Sequence, residues 1–80
     1  MSKIFFDVFP TLKVNDEIRM LFESVQVEKV STNRQRDFIN VFLFSDHLIQ
    51  KRHIYLMEGM IKDQLFARVP VRVTIFEHFQ

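Results

Sequence analysis

The sequence contains no cysteine, no tryptophan, one glycine and two prolines. Without cysteine the chain can form neither a disulfide framework nor a cysteine-ligated zinc site, and this absence fits the reducing cytoplasm in which we expect the protein. One glycine cannot build a glycine-rich loop that cradles a phosphate. The formal net charge of +1 is too small to create a field that draws a protein onto nucleic acid. No stretch approaches the roughly 20 apolar residues of a membrane span.

Phenylalanine is abundant by contrast. Ten of the 80 residues are phenylalanine, and 48% of the chain is hydrophobic. This length suits one domain over residues 1–80, with an arm over about 1–13 and a folded core over about 14–79. A domain of this size buries only about 60% of its unfolded surface, whereas each phenylalanine buries on the order of 150–250 Å². Phenylalanine therefore compensates for the small core of such a domain, although a sheet with helices on one face needs only some of the ten rings there.

The first half of the chain predicts an arm, a helix and a strand. Apolar residues 4–9 end at Pro10, which favours an extended arm laid against the domain or a short helical turn. Asn15 is a good N-cap, and apolar residues recur behind it at helical spacing, which predicts a helix over about 15–23. Residues 25–28 alternate as in a half-buried strand, and the polar residues 31–35 suit a hairpin connection.

The second half predicts a strand over 36–44, a helix over about 52–66 and a last strand that begins at Pro70 and ends near 77. We therefore predict an α+β domain in the order α-β-β-α-β, in which a three-stranded sheet carries two helices on one face. Residues 36–44 are apolar on both faces of their strand, so the second sheet face would be open unless the arm covers it. The aromatic residues of that face are Phe38, Phe42, Phe44 and Phe76.

The titratable residues form no catalytic pattern. The acidic residues are scattered, and no Asp-x-Asp or Glu-x-Asp pair is present to hold two metal ions. His47, His53 and His78 lack the i,i+4 spacing of a helical zinc pair. We therefore expect no catalytic residue, no metal site and no cofactor.

Basic residues cluster in two places. Arg34 and Arg36 flank the hairpin, and Lys51 and Arg52 precede the second helix. If both pairs lie at one end of the sheet, they form a positive patch beside the phenylalanines, as in a platform that binds single-stranded nucleic acid. Solvation of the turn and the helix start is one alternative, and a positive rim around a protein interface is another.

The run from Val27 to Phe66 resembles the extreme N-terminal segment of PolC, the Gram-positive-type DNA polymerase III alpha subunit of the C family of replicative polymerases. The opening "FFDVFPTLKVNDEI" and the closing "VRVTIFEHF" fit as well, so the resemblance covers nearly the whole chain. Three positions depart from the usual polar or charged residues, and these are Leu56, Gly59 and Met60. The matching residues are Glu28-Lys29-Val30, Asn33-Arg34, Arg36-Asp37, Ser45 with Leu48-Ile49, Ile54-Tyr55, Glu58, and Ile61-Lys62 with Gln64-Leu65-Phe66.

This resemblance implies that the chain is a fragment of a DNA-directed DNA polymerase with 3'-5' exonuclease, whose catalytic regions lie beyond residue 80. The leading segment of the family is similar to the polymerase-binding domain of the clamp-loader tau subunit, a truncated KH-like fold. A KH domain that binds nucleic acid carries a Gly-x-x-Gly loop, which is absent here, so the likeness concerns the fold and not nucleic-acid binding.

The sequence thus leads to three hypotheses for the role of the domain. The first is a non-catalytic protein-interaction module that tethers the polymerase to a replisome protein, with the tau subunit as the expected partner. The second is an accessory domain that binds single-stranded nucleic acid, and the third is a spacer that packs on the rest of the polymerase chain. No membrane partner is expected. The candidate partner-binding residues are Phe38, Phe42, Phe44, Phe76, Arg34, Arg36, Lys51 and Arg52.

Overall fold

The computed structural model describes residues 3–79. They form a four-stranded sheet and three helices, which confirms the predicted α+β class. The elements in chain order are β1 (Lys3–Ile4), α1 (Phe5–Val8), α2 (Asp16–Phe22), β2 (Gln26–Thr32), β3 (Phe38–Ser45), α3 (Lys51–Leu65) and β4 (Arg72–Phe79).

The strands lie in the order β1-β2-β3-β4. β1 and β2 are antiparallel, as are β2 and β3, whereas β3 and β4 are parallel and connected through α3. From α2 onward this is the predicted order α-β-β-α-β. The predicted count of three strands and two helices is wrong, because the N-terminal arm adds β1 and α1.

The arm is part of the core. The Phe5 amide N–H donates to the Val25 carbonyl over 2.8 Å, which fixes the arm on the edge of the sheet. The Phe5 ring is fully buried and packs at 5.2 Å between centroids against the ring of Phe22. Burying a ring of this size contributes about 1.5–3 kcal/mol, so the arm adds stability to the domain. Met1 and Ser2, which the predicted arm included, lie outside the described residues.

The helices begin and end close to where the sequence predicts. α2 starts after Asn15, whose side-chain Oδ1 accepts a hydrogen bond from the Ile18 amide at 2.9 Å. This cap satisfies one of the free amides of the first turn. α3 has no side-chain cap, and its buried stripe of Ile54, Met57 and Ile61 holds it against the sheet.

An irregularity in β2 changes which side chains face the helices. The pairing with β3 shifts between Val27 and Lys29, so that Lys29 lies opposite Phe42 and Val30 lies opposite Val41. A bulge of this kind inserts an extra residue and interrupts the strict alternation of side chains. Lys29 therefore reaches the sheet face that Phe42 occupies.

The core lies between the helices and one face of the sheet, which we call the helix face. Strand residues of this face are buried in one cluster with residues of all three helices. The opposite face carries the even-numbered side chains of β3 and β4, none of which belongs to that cluster. The buried hydrophobic strand residues of the helix face are Val27, Val41, Leu43, Val73 and Ile75.

Candidate functional site

The sheet face opposite the helix face carries the even-numbered side chains of β3 and β4, and we call it the open face. Its side chains form rows that run across the strands. The strand register gives four rows, each with members at paired positions of neighbouring strands. Two consecutive rows are aromatic, and we call these two together the aromatic face. The aromatic rows are Lys29 with Phe42 and Phe76, and Gln26 with Phe44 and His78.

In the first aromatic row the phenyl rings stand side by side. The centroids of Phe42 and Phe76 are 5.0 Å apart with 16° between the ring planes. The Lys29 ammonium lies 4.7 Å from the centroid of Phe42. Because Lys29 and Phe76 come from the strands on either side of β3, they cover opposite faces of the Phe42 ring. The Phe42 ring therefore presents its edge outward, and Phe76, on the edge strand β4, is 47% exposed.

In the second aromatic row a histidine packs against a phenylalanine. The His78 ring lies 5.6 Å from that of Phe44 in an edge-to-face arrangement at 86°. His78 Nδ1 is 3.5 Å from Glu28 Oε1, so the imidazole is held from two sides. This row continues the apolar surface of the first row toward the carboxyl ends of β3 and β4.

The third row separates Phe38 from the other phenylalanines. It consists of Ser31, Asn40 and Thr74, which are all short and polar. Phe38 lies beyond it, 42% exposed, at the position paired with Arg72. The structure thus brings together three of the four predicted aromatic residues and leaves the fourth apart.

The hairpin that carries Arg34 and Arg36 is organised by Asn33. Oδ1 of Asn33 accepts hydrogen bonds from the Asp37 amide at 3.0 Å and the Phe38 amide at 3.1 Å, and its Nδ2 donates to the Asp37 carboxylate. Within this loop Arg36 has a φ of 61°, in the left-handed region. The chain turns sharply here and enters β3 with both arginine side chains exposed.

Lys51 and Arg52 lie at the other end of β3. They open α3, which follows the carboxyl end of that strand. β3 has eight residues, and at about 3.3 Å per residue it spans about 26 Å. The two basic pairs therefore cannot form a single positive patch, and the patch considered from the sequence does not occur.

His47 joins the β3–α3 connection to α2. Its Nδ1 is 3.0 Å from Asp46 Oδ1 and its Nε2 is 3.1 Å from the Leu21 carbonyl oxygen. The hydrogen bond to Asp46 raises the pKa of His47 above its ordinary value. Partial burial lowers this pKa, and the hydrogen bond to the Leu21 carbonyl raises it. When protonated, the imidazolium donates to both oxygens. This contact is structural, because it lies in a chain connection and not on the open face.

Residues 3–79 contain no group of three or more histidine, aspartate or glutamate side chains that could hold a metal ion. In the same part of the chain no helix has the length and hydropathy needed to cross a membrane.

Sequence reasoning missed several residues of the open face, among them Lys29, Arg72 and His78. Arg72 and His78 follow from continuing the alternation of the last strand, so this signal was available. Lys29 could not be found in this way. Strict alternation from Val27 would place Lys29 on the helix face, but the bulge in β2 moves its side chain to the open face. Its position over Phe42 becomes visible only in the structure.

The described residues define a small α+β domain with helices on one sheet face and a partly exposed aromatic surface on the other. Comparison with protein families then places it. The model of the DNA polymerase III polC-type N-terminus I matches residues 4–75, and the chain belongs to this family. It is thus a non-catalytic N-terminal region of a replicative DNA polymerase, as the resemblance implied.

The comparison with curated proteins found no match. The comparison with solved structures found none either.

Proposed function

We propose that this domain is a protein-interaction module that tethers the polymerase to another replisome protein through the aromatic face. The proposed partner is the clamp-loader tau subunit. The observation that carries the proposal is the pair of aromatic rows, which leave rings partly exposed on a sheet face that no helix of residues 3–79 covers.

The composition of this face suits the centre of a protein interface. Such centres are rich in aromatic side chains and poor in charge, and a few large residues supply most of the binding energy. The ring of Phe76 is held by its stack on Phe42 and remains 47% exposed. A ring that is already fixed loses little conformational freedom when a partner covers it.

The ring geometry favours a protein over single-stranded nucleic acid. Bases bind to such sheets by stacking on exposed ring faces, beside a basic groove that follows the backbone. Both faces of the Phe42 ring are occupied, one by Lys29 and the other by Phe76. The basic pairs of the hairpin and of α3 lie at opposite ends of β3, so they do not line one groove beside the rings.

The proposed surface has two charged ends, one formed by Arg34 and Arg36 and the other by Lys51 and Arg52. The hairpin pair lies beyond Phe38, and the α3 pair follows the carboxyl end of β3. At an interface rim such charges change the rate of association and its salt dependence more than the final affinity. We also propose that the domain is related to the truncated KH-like fold and that the protein is cytoplasmic.

The test compares the affinity of tau for three forms of the chain. Replacing Phe76→Ala removes an exposed ring that contributes nothing to the buried core, so folding should persist while the dissociation constant rises at least tenfold. The matched control is Tyr55→Ala, which removes another exposed ring (63% exposed) from α3, away from the aromatic face. Equal effects of the two substitutions would contradict the proposal.

A spacer that packs on the rest of the polymerase is the remaining candidate. In that case Phe76→Ala would weaken the packing of the domain within the full polymerase. Limited proteolysis of the full polymerase with and without the substitution separates this candidate from tethering in trans.

A further inference from the structure

The outer edge of β2 is only partly covered. β1 pairs with Gln26 and Val27, and no other strand of residues 3–79 continues along residues 28–32. A strand edge of this kind has backbone amides and carbonyls available to a further strand. At the opposite edge, by contrast, the Ile75 amide of β4 donates to the Glu58 carboxylate of α3 at 2.7 Å.

An apolar groove lies beside this edge. Its volume is about 520 Å³, and it lies on the helix face, opposite the aromatic face. Val30 belongs both to the groove and to the free edge, and it is 48% exposed. The lining residues are Val30, Ser31, Thr32, Arg36, Ile39, Phe66, Val69 and Val71.

A second groove extends the first along the same edge. Its volume is about 430 Å³, and it is lined by Lys3, two residues of α1 and residues 27–30 of β2, so that Val30 belongs to both grooves. The free edge of β2 is therefore accompanied by open space from the end of β1 to the hairpin. An extended segment with a side chain at every second position fits a space of this shape.

The hairpin end of the first groove is basic. Arg36 lines it, Arg34 belongs to the same hairpin, and Arg68 belongs to the loop that contributes Phe66 and Val69. No carboxylate of residues 3–79 lies within ion-pair distance of these three arginines. Asp37, the acidic residue of the hairpin, is hydrogen-bonded to Asn33. An incoming carboxylate would therefore meet guanidinium groups that have no ion-pair partner within residues 3–79.

We propose that the free edge of β2 is a second docking site, which binds an extended protein segment by strand addition. The segment carries apolar side chains at alternate positions, which enter the groove beside Val30. An aspartate or glutamate at one end pairs with Arg36 and its neighbours. This site shares Lys29 of β2 with the aromatic face, but its groove beside Val30 lies on the helix face, and the proposal does not depend on the function proposed for the aromatic face.

The test selects peptides on the 80-residue chain from a phage-displayed library of random peptides about 12 residues long. We expect enriched sequences with apolar residues at alternate positions and an acidic residue beside them. Synthetic versions of the enriched peptides should shift the amide resonances of residues 28–32 and 36, and not those of Phe42 or Phe76. Failure to enrich any sequence, or shifts confined to Phe42, Phe44, Phe76 and His78, would overturn the proposal.

Two substitutions and one control make the test specific. Arg36→Gly removes the guanidinium and keeps the left-handed backbone that glycine adopts freely, so the fold should persist. Val30→Glu places a negative charge in the groove. Each should weaken the selected peptides at least fivefold. Lys13→Ala, at an exposed residue whose backbone makes its hydrogen bonds with Gln64, should leave the affinity unchanged. Equal affinities of all three variants would also overturn the proposal.

Discussion

Gly59 is the single glycine of the chain, and it lies in the middle of α3. Apart from its chain neighbours and the adjacent backbone of α3 itself, a Cβ atom at this position would meet no heavy atom of residues 3–79 within 4 Å. No close approach of a neighbouring element therefore requires glycine here. The residue weakens the helix without a compensating contact, because glycine loses more backbone freedom on folding than alanine does.

Gly59→Ala should therefore stabilise the domain. We expect the free energy of unfolding to rise by about 0.5–1 kcal/mol, measured by urea denaturation followed by circular dichroism. An unchanged or lower free energy of unfolding would mean that the position is constrained in a way the structure does not reveal.

His47 should make stability depend on pH. Its pKa is raised in the folded protein, first by the hydrogen bond to Asp46. A raised folded-state pKa gives stability that is present below the unfolded pKa of about 6.5 and is lost as pH rises through the folded pKa. The stability difference between wild type and His47→Gln should thus be larger near about pH 5.5 than near about pH 8.5. Denaturation of both proteins at these pH values measures it, and a difference that grows with pH would contradict the account.

Among the elements, the β2–β3 hairpin depends most on one side chain. The Asn33 amide oxygen accepts hydrogen bonds from two backbone amides, those of Asp37 and Phe38. Replacing Asn33→Ala should lower the free energy of unfolding by about 1–2 kcal/mol, since each such bond contributes roughly 0.5–1.5 kcal/mol.

The same loop offers a matched control. Gln35 makes a side-chain contact with Asn33 Nδ2 at 3.3 Å and is exposed. Gln35→Ala should therefore change the free energy of unfolding by less than about 0.5 kcal/mol. If both substitutions cost the same, the loop would not depend on the amide oxygen of Asn33.

Several elements could be predicted from the sequence because local signals agreed with their tertiary setting. The Asn15 cap and the helical spacing behind it place α2 within one residue of its observed ends. The apolar stripe of α3 and the two apolar faces of β3 were equally direct signals. Each of these elements has an apolar periodicity or a cap that is compatible with few other local structures.

The structure of the arm and the rows of the open face could not be predicted without knowledge of the tertiary contacts. Residues 4–9, apolar except for Asp7, have no helical or alternating period, so their division into β1 and α1 depends on contacts with Val25 and Phe22. The bulge in β2 left no signal in the sequence. The separation of the two basic pairs, however, follows from the length of β3 alone, since a strand places the residues before and after it at opposite ends.

At the scale of the whole molecule, the sheet has two different faces, and the outer edge of β2 is paired only in part by β1. The helix face contributes to the core, and the opposite face carries the aromatic rows. In a domain of 80 residues the core requires most of the large apolar side chains. Phe42, Phe44 and Phe76 nevertheless lie outside the buried cluster. Their position on an uncovered face is the reason to regard this face as a binding surface.

The central claim is that the aromatic face binds a protein partner and not nucleic acid. The most direct measurement is an amide-shift titration of the isotope-labelled 80-residue chain with tau and, in parallel, with a single-stranded oligonucleotide. The account predicts that tau shifts the resonances of Phe42, Phe44, Phe76 and His78, while the oligonucleotide shifts none of them. Salt-sensitive shifts of those resonances with the oligonucleotide, or no shifts with tau, would contradict it.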